Sequence, residues 1–414
     1  MPVQKNTGVV KSKTGGASSK RSPLVATPRK TTTNKARVID TLMRRGNKAA
    51  GSKTEAGKAT AGSLTLLSNA FTAVRFWYST RIYALNVTLT GTLDMGLPGG
   101  RIIELFGDES TGKTTLCGCI MAETQSQNGI AVMHDSESTF TEARAIELEI
   151  NPKELVYGAN EYLEEILDII CSNILAVGKS RAAIIHDTIA GTPSKREVGK
   201  RIGEGVFSPH ARALSEGLRK MSRPLANSNA CVIFVNQRKE GGMGEMFATE
   251  RKKDATLGGK AIKFHSTVRI RLVYARKFIA MLGKQKVHYA DEITATVVKN
   301  KERASGTKCC ECILVLVKMG DGGGKFSNGL TALRTLQHWN ALPKGEKVKF
   351  AGKTLTPIEW EKEYNSNPKF SATVNRFLVA VNQMINSKGE ASNAKVATNT
   401  NDEYDDDEEE LIVS

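Results

Sequence analysis

Few folds can house the run Gly107-Asp-Glu-Ser-Thr-Gly-Lys-Thr114. It follows the apolar stretch 101–106 and precedes the helical pattern 116–122, so the chain passes from strand to helix through two glycines. In that setting G-x-x-x-x-G-K-[ST] is a phosphate cradle. The glycines let backbone N–H groups turn inward, and the helix N-terminus adds the positive end of its dipole. Lys113 is then expected to reach the β/γ oxygens and the Thr114 hydroxyl to ligate Mg²⁺. Nucleotide contacts are assigned to Gly107, Asp108, Glu109, Ser110, Thr111, Gly112, Lys113, Thr114 and Thr115.

Further apolar runs at 129–134, 182–186 and 230–235 alternate with helical patterns such as 162–177 and 211–225. Strands alternating with helices predict βαβ units, hence an α/β fold with a mainly parallel central sheet flanked by helices. The runs at 268–273, 293–298 and 311–317 lack helix-length spacers and are expected to extend that sheet with antiparallel strands. Ligands bind outside the carboxyl ends of such strands. The acid ending 182–187, Asp187, is therefore expected to complete the magnesium site with Thr114. The strand before Asp135-Ser136-Glu137 delivers acids to the same edge. Glu137 is expected to orient or deprotonate the attacking water, with Asp135 as its competitor. His134 and His186 are read as packing residues that support these acids, not as metal ligands.

The chain has 414 residues and a net charge of +16, unevenly spread. Residues 1–60 hold 14 Lys/Arg, two acids and no aromatic residue, while 402–410 holds eight acids. Neither end has the apolar content to fold alone. Five segments follow: a basic disordered tail 1–60, with a short interaction helix around Val38, Ile39, Leu42 and Met43; a linker or subunit-docking segment 61–82; the nucleotide-binding core 83–325; a small C-terminal domain 326–390 marked by Trp339, Trp360, Phe370 and Phe377; and an acidic disordered tail 391–414. The basic balance points to a polyanion, most simply nucleic acid. No apolar run approaches ~18 residues, which excludes a helical membrane span. The N-terminus lacks the apolar core of a secretory signal. The seven cysteines fall mostly in apolar runs and read as reduced thiols of a cytoplasmic protein.

The motifs, in this order, resemble the RecA-type recombinases: Glu104-Leu-Phe-Gly-Asp-Glu-Ser-Thr-Gly-Lys-Thr-Thr115, Asp135-Ser-Glu137, Ile185-His-Asp-Thr188, Phe234-Val-Asn-Gln237, Gly258-Gly-Lys-Ala-Ile-Lys-Phe264 and Val298-Lys-Asn-Lys301. The stretch 79–91 and Asp-Ser-Glu look more like the phage UvsX-type members. The resemblance, which covers about 80–320, implies a RecA-like core and a DNA-dependent ATPase using ATP and Mg²⁺. Such a protein polymerises on single-stranded DNA, holds ATP at the subunit interfaces, and exchanges strands with double-stranded DNA in recombination, repair and recombination-dependent replication. Single-strand-binding and mediator proteins become expected partners, and the cytoplasm (a host cell's, for a phage protein) the expected place.

Carried over residue by residue, the resemblance makes Gln237 a γ-phosphate sensor. It sends Lys299 and Lys301, two apart on a strand and so on one face, to the neighbouring subunit's γ-phosphate, as an arginine finger would act. DNA contacts fall on the loop 192–208, with Lys195, Arg196, Lys200 and Arg201, and on the loop 238–257, with Arg251, Lys252 and Lys253. They continue at Gly258, Gly259 and Lys260, and on Arg212, Ser215 and Arg219, which share a helix face. Phosphate contacts of this kind carry no sequence information. Where RecA stacks adenine on an aromatic ring this chain has Arg144, and an arginine can stack on a base. Two competing readings share the core: a ring-forming helicase motor, and a non-catalytic DNA-coating protein.

Overall fold

The computed structural model describes Leu42 and residues 74–159, 161–199, 209–238, 255–282, 285–303, 309–318, 323–345 and 347–388. The elements below lie in the unit Phe71–Ser414. Of the expected interaction helix only Leu42 is described, helical and exposed.

The first of these elements are β1 (Trp77–Tyr78), helix α1 (Tyr83–Thr90) and β2 (Leu97–Pro98), the two strands pairing antiparallel. Then come β3 (Arg101–Gly107), α2 (Lys113–Ser126), β4 (Ile130–Asp135), α3 (Glu142–Glu147), β5 (Leu155–Gly158), α4 (Leu163–Val177), β6 (Ala182–Asp187), α5 (Lys195–Val198), α6 (Pro209–Ala226) and β7 (Cys231–Gln237). After them run α7 (Lys260–His265), β8 (Val268–Leu282), β9 (Gln285–Asn300), β10 (Glu311–Lys318) and β11 (Gly324–Phe326). The last part holds α8 (Asn328–His338), a hairpin of β12 (Val348–Phe350) and β13 (Lys353–Leu355), α9 (Pro357–Ser366) and α10 (Pro368–Lys388).

The strands form a nine-stranded sheet in the order β11-β10-β9-β8-β3-β7-β6-β4-β5. From β8 to β5 every neighbouring pair is parallel; β9, β10 and β11 are antiparallel. The α/β expectation is therefore borne out, with one difference. Val268 does not open an antiparallel strand, because the six-residue helix α7 supplies the crossover that returns β8 parallel to β3. The hairpin β8–β9 is also longer than its apolar cores at 268–273 and 293–298. Its outer part carries charged side chains, with Arg276 clasping Glu292, which a hydrophobic pattern does not register.

Side-chain alternation across the pleat divides the core. Ile103 and Leu105 face α1 and α2, while Ile102 joins Val132, Ile184 and Val232 against α4 and α6, where Ile166, Ile170, Leu214 and Leu218 are fully buried. Each such side chain contributes about 1.5–3 kcal/mol by leaving water. Phe350, Trp360, Phe370 and Phe377 form an aromatic cluster continuous with the α1 and α2 face. Trp360 donates to the Gly329 carbonyl at 3.0 Å and Trp339 to that of Glu311 at 2.8 Å, so both indoles are tied to the sheet's flank.

One side chain breaks the apolar run of β3. Glu104 is fully buried and pairs with Arg269 of β8 at 2.5 Å, the guanidinium also lying over the Phe106 ring. Asn236 donates to the same carboxylate at 3.0 Å. Removing one partner leaves a buried charge uncompensated, whereas replacing both by apolar groups often costs little. Glu104→Ala is expected to lose about 3–5 kcal/mol of stability, read from the midpoint of urea unfolding. The double change to Met at 104 and 269 should recover most of that loss.

Candidate active site

Parallel strands in the order β3-β7-β6-β4 deliver their carboxyl ends to one edge. Gly107 stands opposite Gln237, and Asp135 opposite Asp187. The loop leaving β3 needs its glycines. A Cβ on Gly107 would lie 2.0 Å from the Leu272 carbonyl oxygen, so any side chain there would push β8 away. Ser110 and Gly112 both take positive φ, 57° and 77°, and Gly112 caps α2. The Thr111 hydroxyl donates to the Asp108 carbonyl at 2.8 Å and closes the turn.

Lys113 folds back into this turn and donates to the carbonyls of Asp108 at 2.6 Å and Gly107 at 3.3 Å. Burial lowers its pKa, while Asp187, Asp108, Glu137 and Glu109 oppose that loss of charge. The Thr114 hydroxyl donates to Asp187 Oδ2 at 2.6 Å. Burial drives the Asp187 carboxyl up to about 6, the Thr114 hydrogen bond opposes it, and Glu137 and Asp135 raise it further. A hydroxyl and a carboxylate side by side, in a pocket whose acids repel one another, form a donor set that fits a hard divalent cation. The residues present thus suit a magnesium-bound triphosphate: Lys113 and the loop for the phosphates, Thr114 and Asp187 for the ion.

The two acids after β4 occupy different situations. Asp135 is buried and its carboxylate accepts from the Glu137 N–H at 3.0 Å, the Phe140 N–H at 2.9 Å and the Tyr157 hydroxyl at 3.0 Å. It is occupied in shaping the loop. Glu137 is exposed, and its Cγ would lie 3.6 Å from a Cβ built on Gly191, which puts it over the turn that follows β6.

Gln237 is half-buried beside the start of the phosphate loop, and its N–H donates to Asn236 Oδ1 at 2.9 Å. Arg238, not singled out from sequence, donates its N–H to the Gly107 carbonyl at 3.4 Å and sets its guanidinium 3.7 Å from Asp108. Arg144 is engaged by Glu147, by the Thr115 hydroxyl at 2.9 Å and by the Gly324 carbonyl at 2.7 Å, which joins the first turn of α2 to β11.

Lys299 and Lys301 lie elsewhere. Glu104, Arg269 and Lys299 are successive partners across β3, β8 and β9, three residues back from Gly107, or roughly 10 Å along the strand. Both lysines reach the carboxyl end of α7: Lys299 donates to the Lys263 carbonyl at 2.5 Å, and both donate to that of Phe264. Burial, with Lys301 and Arg269 nearby, pushes Lys299 down to about 8.

Helix α6 buries Leu214, Leu218 and Met221 and leaves Arg212 and Arg219 exposed with Ser215 between them. Arg196 is exposed on α5 and Lys260 at the start of α7. Gly258 and Gly259 have φ of +83° and +79°, and a Cβ on Gly258 would meet Leu214 at 2.6 Å, so the second loop ends tightly against α6. Lys200, Arg201, Arg251, Lys252 and Lys253 lie outside the described residues.

Two polar groupings escaped the sequence reading. One is Glu104–Arg269–Asn236, with Asn236 also donating to the Leu257 carbonyl at 3.0 Å. A carboxylate inside an apolar strand was the available signal, since it requires a partner. The other joins Ser136, His186 and Thr192. Burial, with His134 and His210 nearby, pushes His186 down to about 3, so the ring is neutral.

The family model described as RecA N-terminal domain matches residues 57–317. The RecA protein of Leptospira meyeri is 33% identical over 237 residues, covering 55% of this chain and 58% of that protein. The RecA protein of Chlamydia abortus is 34% identical over 206 residues, covering 50% and 56%. The chain thus spans little more than half the length of these relatives.

The Asp187 carboxyl gives a pH dependence of defined sign. Its folded pKa of about 6 stands above the ordinary 3.8, so its contribution to stability is present below 3.8 and is lost as pH rises through about 6. Above that, the charged form is a net cost. Asp187→Asn should stabilise the nucleotide-free chain at pH 7.5 by on the order of 1–3 kcal/mol, seen as a higher urea midpoint. Because a metal binds only the carboxylate, Mg²⁺ affinity should fall about tenfold per pH unit below pH 6, measured by calorimetric Mg²⁺ titration with a bound nucleotide analogue.

Proposed function

The chain belongs to the RecA family, and from that membership we propose that it is an ATP-dependent DNA strand-exchange recombinase that assembles on single-stranded DNA. The observation that carries the proposal is the Thr114–Asp187 contact at 2.6 Å, on the same edge as the Gly107–Gln237 pair and the exposed Glu137. No helix among the described residues is long and apolar enough to cross a membrane.

In this reading Lys113 and the loop N–H groups hold the triphosphate, and Thr114 and Asp187 hold Mg²⁺, which neutralises phosphate charge when bound. Glu137 orients the attacking water and accepts its proton. Asp135, held by three donors, keeps the Glu137 backbone in place. Gln237 stands where the terminal phosphate would be read, and its strand continues directly into the second DNA loop. Lys299 and Lys301 lie too far back along the sheet for their own subunit's phosphates, which supports a role toward a neighbour's. Arg196, Arg212, Ser215, Arg219, Lys260 and the Gly258-Gly259 backbone form the DNA-facing set, joined by Arg251, Lys252 and Lys253. Arg144, fastened to Thr115 beside the phosphate loop, carries the base on its guanidinium plane in this reading.

The same proposal extends to finer points. The protein is of the phage UvsX type, works on DNA in the cytoplasm, and meets single-strand-binding and mediator proteins. Its segments divide at 60, 82, 325 and 390, with basic and acidic tails outside the core.

Electron microscopy on single-stranded DNA with a non-hydrolysable ATP analogue should show extended helical filaments, and ATPase activity should require DNA. Closed rings would instead favour a helicase motor, and DNA coating indifferent to nucleotide a non-catalytic protein. Lys113→Ala is expected to abolish hydrolysis. Glu137→Gln and Lys299→Ala should each be inactive alone, yet an equal mixture should regain roughly a quarter of wild-type activity. One site in four would then join an intact base to an intact neighbouring lysine, as a finger acting in trans requires.

A further inference from the structure

We propose that the Ser136–His186–Thr192 grouping is the positioning device through which the first DNA loop sets the hydrolytic glutamate. This rests on the reading of Glu137 as the base and of 192–208 as DNA-contacting, and it names the regulation of that site. The three side chains come from three places. Ser136 directly precedes Glu137, His186 directly precedes Asp187, and Thr192 opens the first DNA loop.

Their hydrogen bonds close on one another. Ser136 Oγ lies 2.5 Å from Thr192 Oγ1 and 3.1 Å from His186 Nε2, and His186 Nε2 lies 2.9 Å from Thr192 Oγ1. Thr192 donates its proton to the Thr188 carbonyl at 2.8 Å, so its oxygen acts as acceptor toward the other two. His186 Nδ1 has no partner among the described residues, which puts the proton of the neutral ring on Nε2, between the two hydroxyls. Thr192 then uses its one donor and both lone pairs, and its removal leaves buried polar groups unpaired.

The surroundings give this node two sides. Toward the nucleotide, the Ser136 N–H donates to the Asp187 carbonyl at 2.8 Å, and Gly191 lies against the Glu137 side chain. Toward DNA, the Ile189 carbonyl bonds His210 at the start of α6 at 3.0 Å, and Ile189 also lies 3.6 Å from a Cβ built on Gly258, where the second loop ends. The turn 188–192 is thus gripped by the helix bearing Arg212 and Arg219, is continuous with the segment bearing Arg196, and is fastened to the residue before the base. Displacing that turn moves Ser136, and with it Glu137, while no side chain of the node hydrogen-bonds the phosphate loop among the described residues.

The test uses the full chain with ATP and saturating single-stranded DNA. Thr192→Val and Ser136→Ala should each lower the DNA-stimulated kcat about tenfold, within the range usual for coupled sites. The KM for ATP should stay within about twofold, and kcat at saturating DNA should fall whatever the Kd for DNA, because coupling and not nucleotide binding is lost. Thr192→Ser, which keeps the hydroxyl, should restore stimulation. Packing alone predicts the opposite order, since valine preserves the threonine shape and serine does not. Full stimulation in Thr192→Val and Ser136→Ala, or a serine variant worse than the valine one, would overturn the proposal. Glu137→Gln with undiminished ATPase would instead sink the reading of the base itself, so the two failures are distinguishable. Should Thr192→Val not fold, Ser136→Ala at a half-buried position carries the test.

Discussion

A missing β-carbon governs the site. With the Leu272 carbonyl 2.0 Å from where a Cβ on Gly107 would stand, β3 and β8 run together up to the point where the phosphate loop departs. That closeness fixes the loop's exit direction and seats Gly107 opposite Gln237. It also draws β8, and with it Arg269 and its cross-strand neighbour Lys299, into register with the phosphate-binding strand. The buried Glu104–Arg269 pair locks the same register with charge where Gly107 permits it with space. The strands to which the proposed function assigns the phosphate (β3), the sensor (β7) and the lysines (β9) are consecutive with β8 in the sheet and so are held as one packed piece.

Much of this was legible in the residues. The glycine spacing placed Lys113 and Thr114, and an apolar run ending in an acid placed Asp187, because parallel strands bring their carboxyl ends to a common edge whatever the details of packing. The i, i+3, i+7 spacing of Arg212, Ser215 and Arg219 foretold a helix face that α6 does present outward. What escaped was of two kinds. The helix α7 is only six residues long, too short for an amphipathic period to register, and so the parallel course of β8 went unseen. The Ser136–His186–Thr192 node is assembled from residues up to 56 apart in the chain, each unremarkable alone; only the adjacency of β4 and β6 reveals it. The length of the β8–β9 ribbon was hidden because ladder hydrogen bonds and charge pairs, not apolar side chains, sustain its outer part.

Asp135 and Glu137 show how similar acids are separated in kind. One is consumed by three donors and becomes part of the backbone's support; the other is left exposed over Gly191. Sequence proximity made them rivals, and hydrogen-bond supply distinguishes them. The same reasoning applies to Asp187, whose carboxyl is driven up by burial and further by Glu137 and Asp135, while the Thr114 hydroxyl and Lys113 oppose the rise.

The seat of Lys299 and Lys301 carries a consequence for counting. In the head-to-tail filament proposed above, the contact that joins one subunit's lysines to the next subunit's nucleotide is heterologous and has no two-fold symmetry. An open row built that way has one more nucleotide than completed sites. One terminus keeps a nucleotide that no lysine serves, and the other displays lysines with nothing to serve. Under the trans reading the two ends are chemically unlike, and direction along the assembly is written into the register of a single hairpin.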